Sequence, residues 1–97
     1  MSKTDEITRG RAQVDEIDAK IIALLSERFK VTRQIGAYKA AHGLIERDPA
    51  RESTQLATIA DHAKAQEVNP ELAQQLLRLI IEQSVKEHLE IQAGQNT

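Results

Sequence analysis

The chain has 97 residues, of which 40% are hydrophobic and 29% are charged, as in one small soluble domain. Its net charge of -2 argues against a general nucleic-acid binder, because such proteins carry a basic surplus. The chain has no cysteine, which excludes disulfides, thiolate metal sites and thiol nucleophiles. We expect a single cytoplasmic domain over residues 1–97 that is not bound to a membrane, because no segment resembles a signal peptide or a membrane span.

Helix-breaking residues divide the chain into three predicted helices, over residues 5–42, 49–66 and 70–92. Gly43 is typical of the residue that follows a helix. Asp48 and Asn69 each precede a proline, and this pair is typical of a helix start because the side-chain oxygen caps exposed N–H groups. The chain has one Tyr, one Phe and no Trp, which also favours helix over sheet. We expect residues 93–97 to form a frayed tail outside the core.

The first predicted helix is too long for a compact domain of this size, because about 38 helical residues span roughly 55 Å. Its apolar side chains recur with heptad spacing at Ile7, Val14, Ile17, Ile21, Leu24, Val31, Ile35 and Tyr38. We name these residues the apolar stripe. Two shorter helices can barely cover it, so we expect two long helices to pack together in a homodimer. A helix that is kinked or broken at Gly36 is the less favoured alternative.

The second and third predicted helices are amphipathic. Their apolar faces consist of Leu56, Ile59, Ala60 and Ala63 on the second helix, and Leu72, Leu76, Leu77, Ile80, Ile81, Val85 and Leu89 on the third. The predicted fold is therefore all-α, with three helices in each chain. Its core is expected within residues 5–92.

Charged and polar residues accompany the apolar faces of all three helices, at Arg11, Arg28, Lys39, Arg51, Glu52, Ser84 and His88. Some have ordinary structural explanations: Arg28 can pair with Glu52 or Glu82, and His88 can be a hydrogen-bonded core histidine. Several cations that point inward together instead favour a small ligand with more than one negative charge. Arg11 and Arg28 are about 25 Å apart along one helix. Both can contact such a ligand only if Arg11 comes from an antiparallel partner chain.

Several kinds of catalysis have no support in the sequence. The three histidines lack the spacing of metal ligands, the glycines do not form a phosphate-binding loop, and no nucleophile motif is present. We therefore expect neither a metal nor a cofactor. An enzyme of this kind must act by positioning its substrate and by fixed charge.

The joint spacing of these residues resembles the all-helical chorismate mutases. The resemblance is carried by RAQVDEID at 11–18, IIALLSER at 21–28, IGAYK at 35–39, RDPARE at 47–52 and LIIEQSV at 79–85. It extends over about residues 7–92. Any one of these segments alone would be a weak signal, whereas their combination is specific.

The resemblance implies an intertwined antiparallel homodimer that converts chorismate to prephenate in Phe and Tyr biosynthesis. Arg28 and Arg11 of the partner subunit would bind the two carboxylates, and Lys39 would contact the ether oxygen. Glu52 and the backbone at Asp48 would hold the ring hydroxyl. The remaining implied site residues are Arg51 and Ser84, which would support the substrate, and the pocket wall of Ile35, Ile81 and Val85.

Two positions depart from the pattern of the family. His88 stands where members usually have Gln or Glu placed to hydrogen-bond the ether oxygen, and we expect His88 to take this catalytic role because either form of its ring can donate an N–H group. Gln55 replaces a common apolar wall residue. Two other functions remain open. One is isochorismate pyruvate lyase activity on the same scaffold, against which Asp48 and Glu52 together favour the mutase. The other is a non-catalytic helical dimerisation module.

Overall fold

The computed structural model describes residues 3–45 and 47–95 and contains three α-helices. They are α1 (Lys3–Ala41), α2 (Pro49–Ala65) and α3 (Pro70–Gln95), and no strand occurs in the described ranges. The predicted all-α class and the order of three helices are confirmed. The third helix extends through residues 93–95, three residues beyond its predicted end, and residues 96 and 97 lie outside the described ranges. The frayed tail stays a prediction.

The two predicted helix starts are confirmed in atomic detail. The Asp48 carboxylate accepts a hydrogen bond from the backbone N–H of Arg51 at 3.1 Å. The Asn69 side-chain oxygen accepts one from the backbone N–H of Glu71 at 2.9 Å, and each proline that follows is the first residue of its helix. These bonds satisfy N–H groups that the first turn of a helix leaves without a backbone partner.

Helices α1 and α2 end in the same way, in a turn whose last residue has a positive φ. After α1, Gly43 has φ +65° and the N–H of Leu44 donates to the carbonyl of Lys39 at 2.8 Å. After α2, Glu67 has φ +59° and the N–H of Val68 donates to the carbonyl of Ala63 at 2.8 Å. A positive φ is favourable for Gly43, which has no side chain, but it is strained for Glu67.

The chain comprises two compact units, one up to Val31 and one from Thr32 onward. In the first unit every described residue is exposed or half-buried. The stripe residues within it are about half exposed or more, at 47% for Ile21 and 63% for Leu24. The part of the apolar stripe that lies in the first unit is therefore accessible to solvent within that unit. The expectation of a single domain stays a prediction.

The second unit has a small core where α2 packs against α3. Its buried apolar side chains are Ala63, Leu77 and Ile81. A half-buried hydrogen bond from Gln74 to the carbonyl of Leu56, at 3.1 Å, also joins these two helices. Other predicted core residues of α3 are exposed, namely Leu72, Leu76 and Leu89. Within the described ranges, none of the helices has the length and apolar character that crossing a bilayer requires.

Candidate functional site

Two polar side chains of α3 are buried against the last part of α1. His88 is 8% exposed, and its Nε2 atom donates a hydrogen bond to the carbonyl oxygen of Thr32 at 2.9 Å. Ser84 is 7% exposed, and its hydroxyl lies 3.4 Å from the hydroxyl of Thr32. A carbonyl oxygen can only accept, so this bond places a proton on Nε2 of His88. We call Thr32, Ser84 and His88 the α1–α3 polar contact.

Gly36 makes this contact possible because it has no side chain. It is the buried residue of α1, and a Cβ atom built on it would lie 3.0 Å from Nε2 of His88 and closer still to Cδ2. Real Cβ atoms do not approach a ring this closely, so any larger residue would displace the histidine or the helix. The helix continues through Gly36 to Ala41 without a break, whereas the alternative of a kink there stays untested.

Arg47, in the loop before α2, bridges carboxylates on two helices. Its Nε and Nη2 atoms donate to the two oxygens of Glu52 at 3.0 and 2.9 Å. Its Nη1 and Nη2 atoms also donate to the carboxylate of Glu82 on α3, the first of them at 3.5 Å. These hydrogen bonds, first with Glu82 and then with Glu52, raise the pKa of Arg47. The hydrogen bond from Arg47 lowers the pKa of Glu82.

An open cavity of about 310 Å³ lies beside this bridge, between α2 and α3. It is lined by Arg47, Glu52, Leu56, Arg78, Ile81 and Glu82. Two predicted site residues, Glu52 and Ile81, are thus brought together there. The lining combines charges of both signs with two apolar side chains, a composition suited to a small ligand that has polar and apolar parts.

The other predicted site residues of the second unit differ in their exposure. Lys39 and Val85 are half-buried, and Ile35 is 47% exposed. Asp48 and Arg51 are exposed at the start of α2, where the Asp48 carboxylate caps the helix. In the first unit, Arg11 is exposed and Arg28 is half-buried. No group of three or more potential metal-ligating side chains occurs in the described part of the chain.

Sequence reasoning missed the part played by Arg47 and Thr32. Arg47 belongs to a segment that carries the family resemblance, but its partners were not predicted. Both Glu52 and Glu82 form ion pairs with Arg47. The signal for Arg47 is weak, because Glu82 is 35 residues away in the sequence. Thr32 contributes a backbone carbonyl, which sequence pattern does not reveal.

Comparison with known proteins identifies the family. Residues 10–89 match the family model described as chorismate mutase type II. The chain is also 33% identical over 79 residues to the T-protein of Enterobacter agglomerans, an alignment that covers 81% of this chain and 21% of that protein. The chain therefore spans about a fifth of the length of this relative. The match to the family model covers most of the sequence, and the chain belongs to the chorismate mutase type II family.

Proposed function

We propose that this chain catalyses the rearrangement of chorismate to prephenate as a homodimer. The observation that carries the proposal is the extent of the family match, because residues 10–89 include every candidate site residue from Arg11 to His88. The cavity beside Glu52 supports it by offering space for a ligand, and the Asp48 cap and the buried Ser84 support it by giving ordered polar groups among the candidate site residues.

The proposed site takes one cation from the partner chain. Arg28 and Arg11 of the partner subunit bind the two substrate carboxylates, and Lys39 contacts the ether oxygen. Arg51 and Ser84 support the bound substrate, while Ile35, Ile81 and Val85 form the apolar wall. The exposed apolar stripe of the first unit supports the dimer, because solvent contact of so many aliphatic side chains on one helix is unfavourable.

Glu52 is proposed to accept a hydrogen bond from the ring hydroxyl, next to the backbone at Asp48. Its side chain is 19% exposed and lines the cavity between α2 and α3. Because a carboxylate oxygen has two acceptor positions, an oxygen that accepts from Arg47 can also accept from a hydroxyl. The pairing with Arg47 is therefore compatible with substrate binding.

The chemistry of the reaction suits a site of fixed charges. The ether C–O bond breaks while a C–C bond forms within the same molecule, so no proton transfer and no nucleophile is required. Negative charge develops on the ether oxygen as its bond to carbon lengthens. A lysine ammonium at that oxygen stabilises the transition state more than the ground state, and the arginines hold the reactive conformer.

His88 is proposed to combine a structural role with a role at the ether oxygen. A neutral imidazole has one N–H group, and the bond to Thr32 uses it when the proton is on Nε2. The imidazolium form has a second N–H group on Nδ1. Either form of the ring has an N–H group to donate, and we propose that His88 donates one to the ether oxygen in place of the Gln or Glu of other family members.

The experiment that tests the function is a spectroscopic assay of the purified protein with chorismate. We expect the ultraviolet absorbance of chorismate to disappear and prephenate to form. Release of pyruvate from isochorismate, without conversion of chorismate, would favour the lyase instead. A non-catalytic module would convert neither compound, and its melting temperature would not change with a saturating bicyclic dicarboxylate that mimics the transition state.

A further inference from the structure

Arg47 and its two carboxylate partners all line the cavity but differ in their exposure to solvent. The side chain of Glu82 is 59% exposed, that of Arg47 is 42% exposed and that of Glu52 is 19% exposed. Glu82 is fixed to α3, Glu52 is fixed to the first turn of α2, and Arg47 lies in the loop between α1 and α2. The guanidinium therefore connects Glu52, the least exposed of the three, to a second helix.

We propose that Arg47, anchored by Glu82, is a positioning residue that orients the Glu52 carboxylate toward the ring hydroxyl of the substrate. This inference rests on the proposed function, in which Glu52 accepts that hydroxyl. Arg47 itself does not contact the reacting atoms. Arg47 holds the Glu52 carboxylate in one orientation and leaves an acceptor position on each of the two carboxylate oxygens.

Arg47 can orient the Glu52 carboxylate because of the geometry of this ion pair. Two parallel donors, Nε and Nη2, contact the two oxygens of Glu52 at 3.0 and 2.9 Å. Such a two-point contact fixes the plane of the carboxylate, whereas a single contact leaves it able to rotate. A lysine is a point charge and lacks the planar pair of donors, so it cannot reproduce this orientation.

The anchor on α3 restricts the guanidinium from its opposite side. Glu82 accepts from both terminal nitrogens of Arg47, so the arginine is held between two carboxylates. An exposed ion pair alone contributes little to stability, because solvent screens it. The larger consequence is for the geometry of the site, where a misplacement of about 1 Å can cost a hundredfold in rate.

The test is a double-mutant cycle on kcat/KM with chorismate. We expect Arg47→Gln to lower kcat/KM about ten- to hundredfold in the otherwise unchanged chain, and by less than about threefold when Glu52 is already Gln. We expect Arg47→Lys not to restore the activity, because the loss is of orientation and not of charge. Glu82→Gln should lower kcat/KM less than Arg47→Gln and in the same direction.

The matched control is Arg33→Gln. Arg33 on α1 forms an ion pair of the same type with Glu87 on α3, at 3.2 Å, and neither residue has a role in the proposed site. We expect this variant to lose a similar amount of thermal stability while keeping its kcat/KM. If Arg47→Gln does not fold by circular dichroism, Glu82→Gln in the two Glu52 backgrounds provides the same cycle with a more exposed residue.

The outcomes separate this inference from the function on which it rests. Suppose that the wild-type chain is active and that Arg47→Gln lowers kcat/KM by the same factor whether residue 52 is Glu or Gln. This result contradicts the positioning role of Arg47 but leaves the proposed function intact. The same conclusion follows if Arg47→Lys restores full activity. A wild-type chain that does not convert chorismate contradicts the proposed function, and the role of Arg47 is then rejected with it.

Discussion

His88 donates a hydrogen bond to the carbonyl oxygen of Thr32 across 2.9 Å, in the buried contact between α3 and the last part of α1. The imidazole reaches this carbonyl because Gly36, one turn further along α1, presents only a hydrogen to the ring. The α1–α3 polar contact therefore depends on a glycine as well as on its three polar members.

Replacing Gly36 with alanine should destabilise the protein. The new Cβ atom would lie 3.0 Å from Nε2 of His88, so the ring or the helix must shift. We expect a loss of about 1–3 kcal/mol in the free energy of unfolding, measured by urea denaturation. The control is Gly10→Ala on the same helix, where no atom lies within 4 Å. That change should stabilise the helix by about 0.5–1 kcal/mol. Equal stabilisation by both changes would contradict the close approach of His88.

Replacing Glu67 with glycine should stabilise the protein. Glu67 has φ +59°, a conformation that costs a residue with a Cβ atom about 1–2 kcal/mol and costs glycine almost nothing. Allowing for the greater freedom of glycine in the unfolded chain, we expect a gain of about 0.5–1 kcal/mol in urea denaturation. The control is Glu90→Gly on the exposed side of α3, which should lower the free energy of unfolding by a similar amount. A loss in both variants would show that the turn after α2 is not strained.

The Arg47–Glu82 pair should make stability depend on acid pH. The hydrogen bond from Arg47 lowers the pKa of Glu82 below its ordinary value of 4.5. A carboxyl with a lowered pKa contributes stability above its unfolded value and loses this contribution as the pH falls through its folded value. We therefore expect Glu82→Gln to melt below the wild type at pH 7, with the difference shrinking toward pH 3. The difference should be small, because the pair is exposed, and it should shrink in high salt. A gap that widens in acid would contradict the sign of this effect.

Replacing Lys39 with alanine should abolish most of the activity without unfolding the protein. Lys39 is half-buried near the end of α1 and is the residue assigned to the ether oxygen. Removal of one transition-state cation should lower kcat about a hundred- to thousandfold. Lys64→Ala, an exposed lysine in the last turn of α2, is the control and should keep full activity. A folded Lys39→Ala variant with normal kcat would refute the assigned mechanism.

The sequence predicts the helices well because their signals are local. Asp48 and Asn69 before proline mark two starts, and Gly43 marks an end. The end of α2 at Ala65 lacks such a signal, because Glu67 adopts the conformation that glycine would normally take. The continuation of α3 through Gly94 was missed because glycine usually disfavours helix.

Helical spacing predicts which polar side chains share a helix face better than it predicts their bonding partners. The placement of Glu52 and Ile81 at one cavity, and of Ser84 and His88 at one contact, agrees with faces read from helical spacing. The partner of Glu52 was not predicted, because contacts between a loop and a distant helix follow from tertiary packing. Arg11 and Arg28 belong to the first unit, and their meeting across two chains stays a prediction.

The most direct test of the account is complementation between two inactive variants, Arg11→Ala and Lys39→Ala. In the proposed dimer each site takes Lys39 from one chain and Arg11 from the other. Mixed dimers therefore contain one site with both residues intact. After the two purified variants are unfolded together and refolded, we predict that chorismate mutase activity returns to about one quarter of the wild-type level. A mixture that stays as inactive as the separate variants, although mixed dimers form, would contradict the shared site.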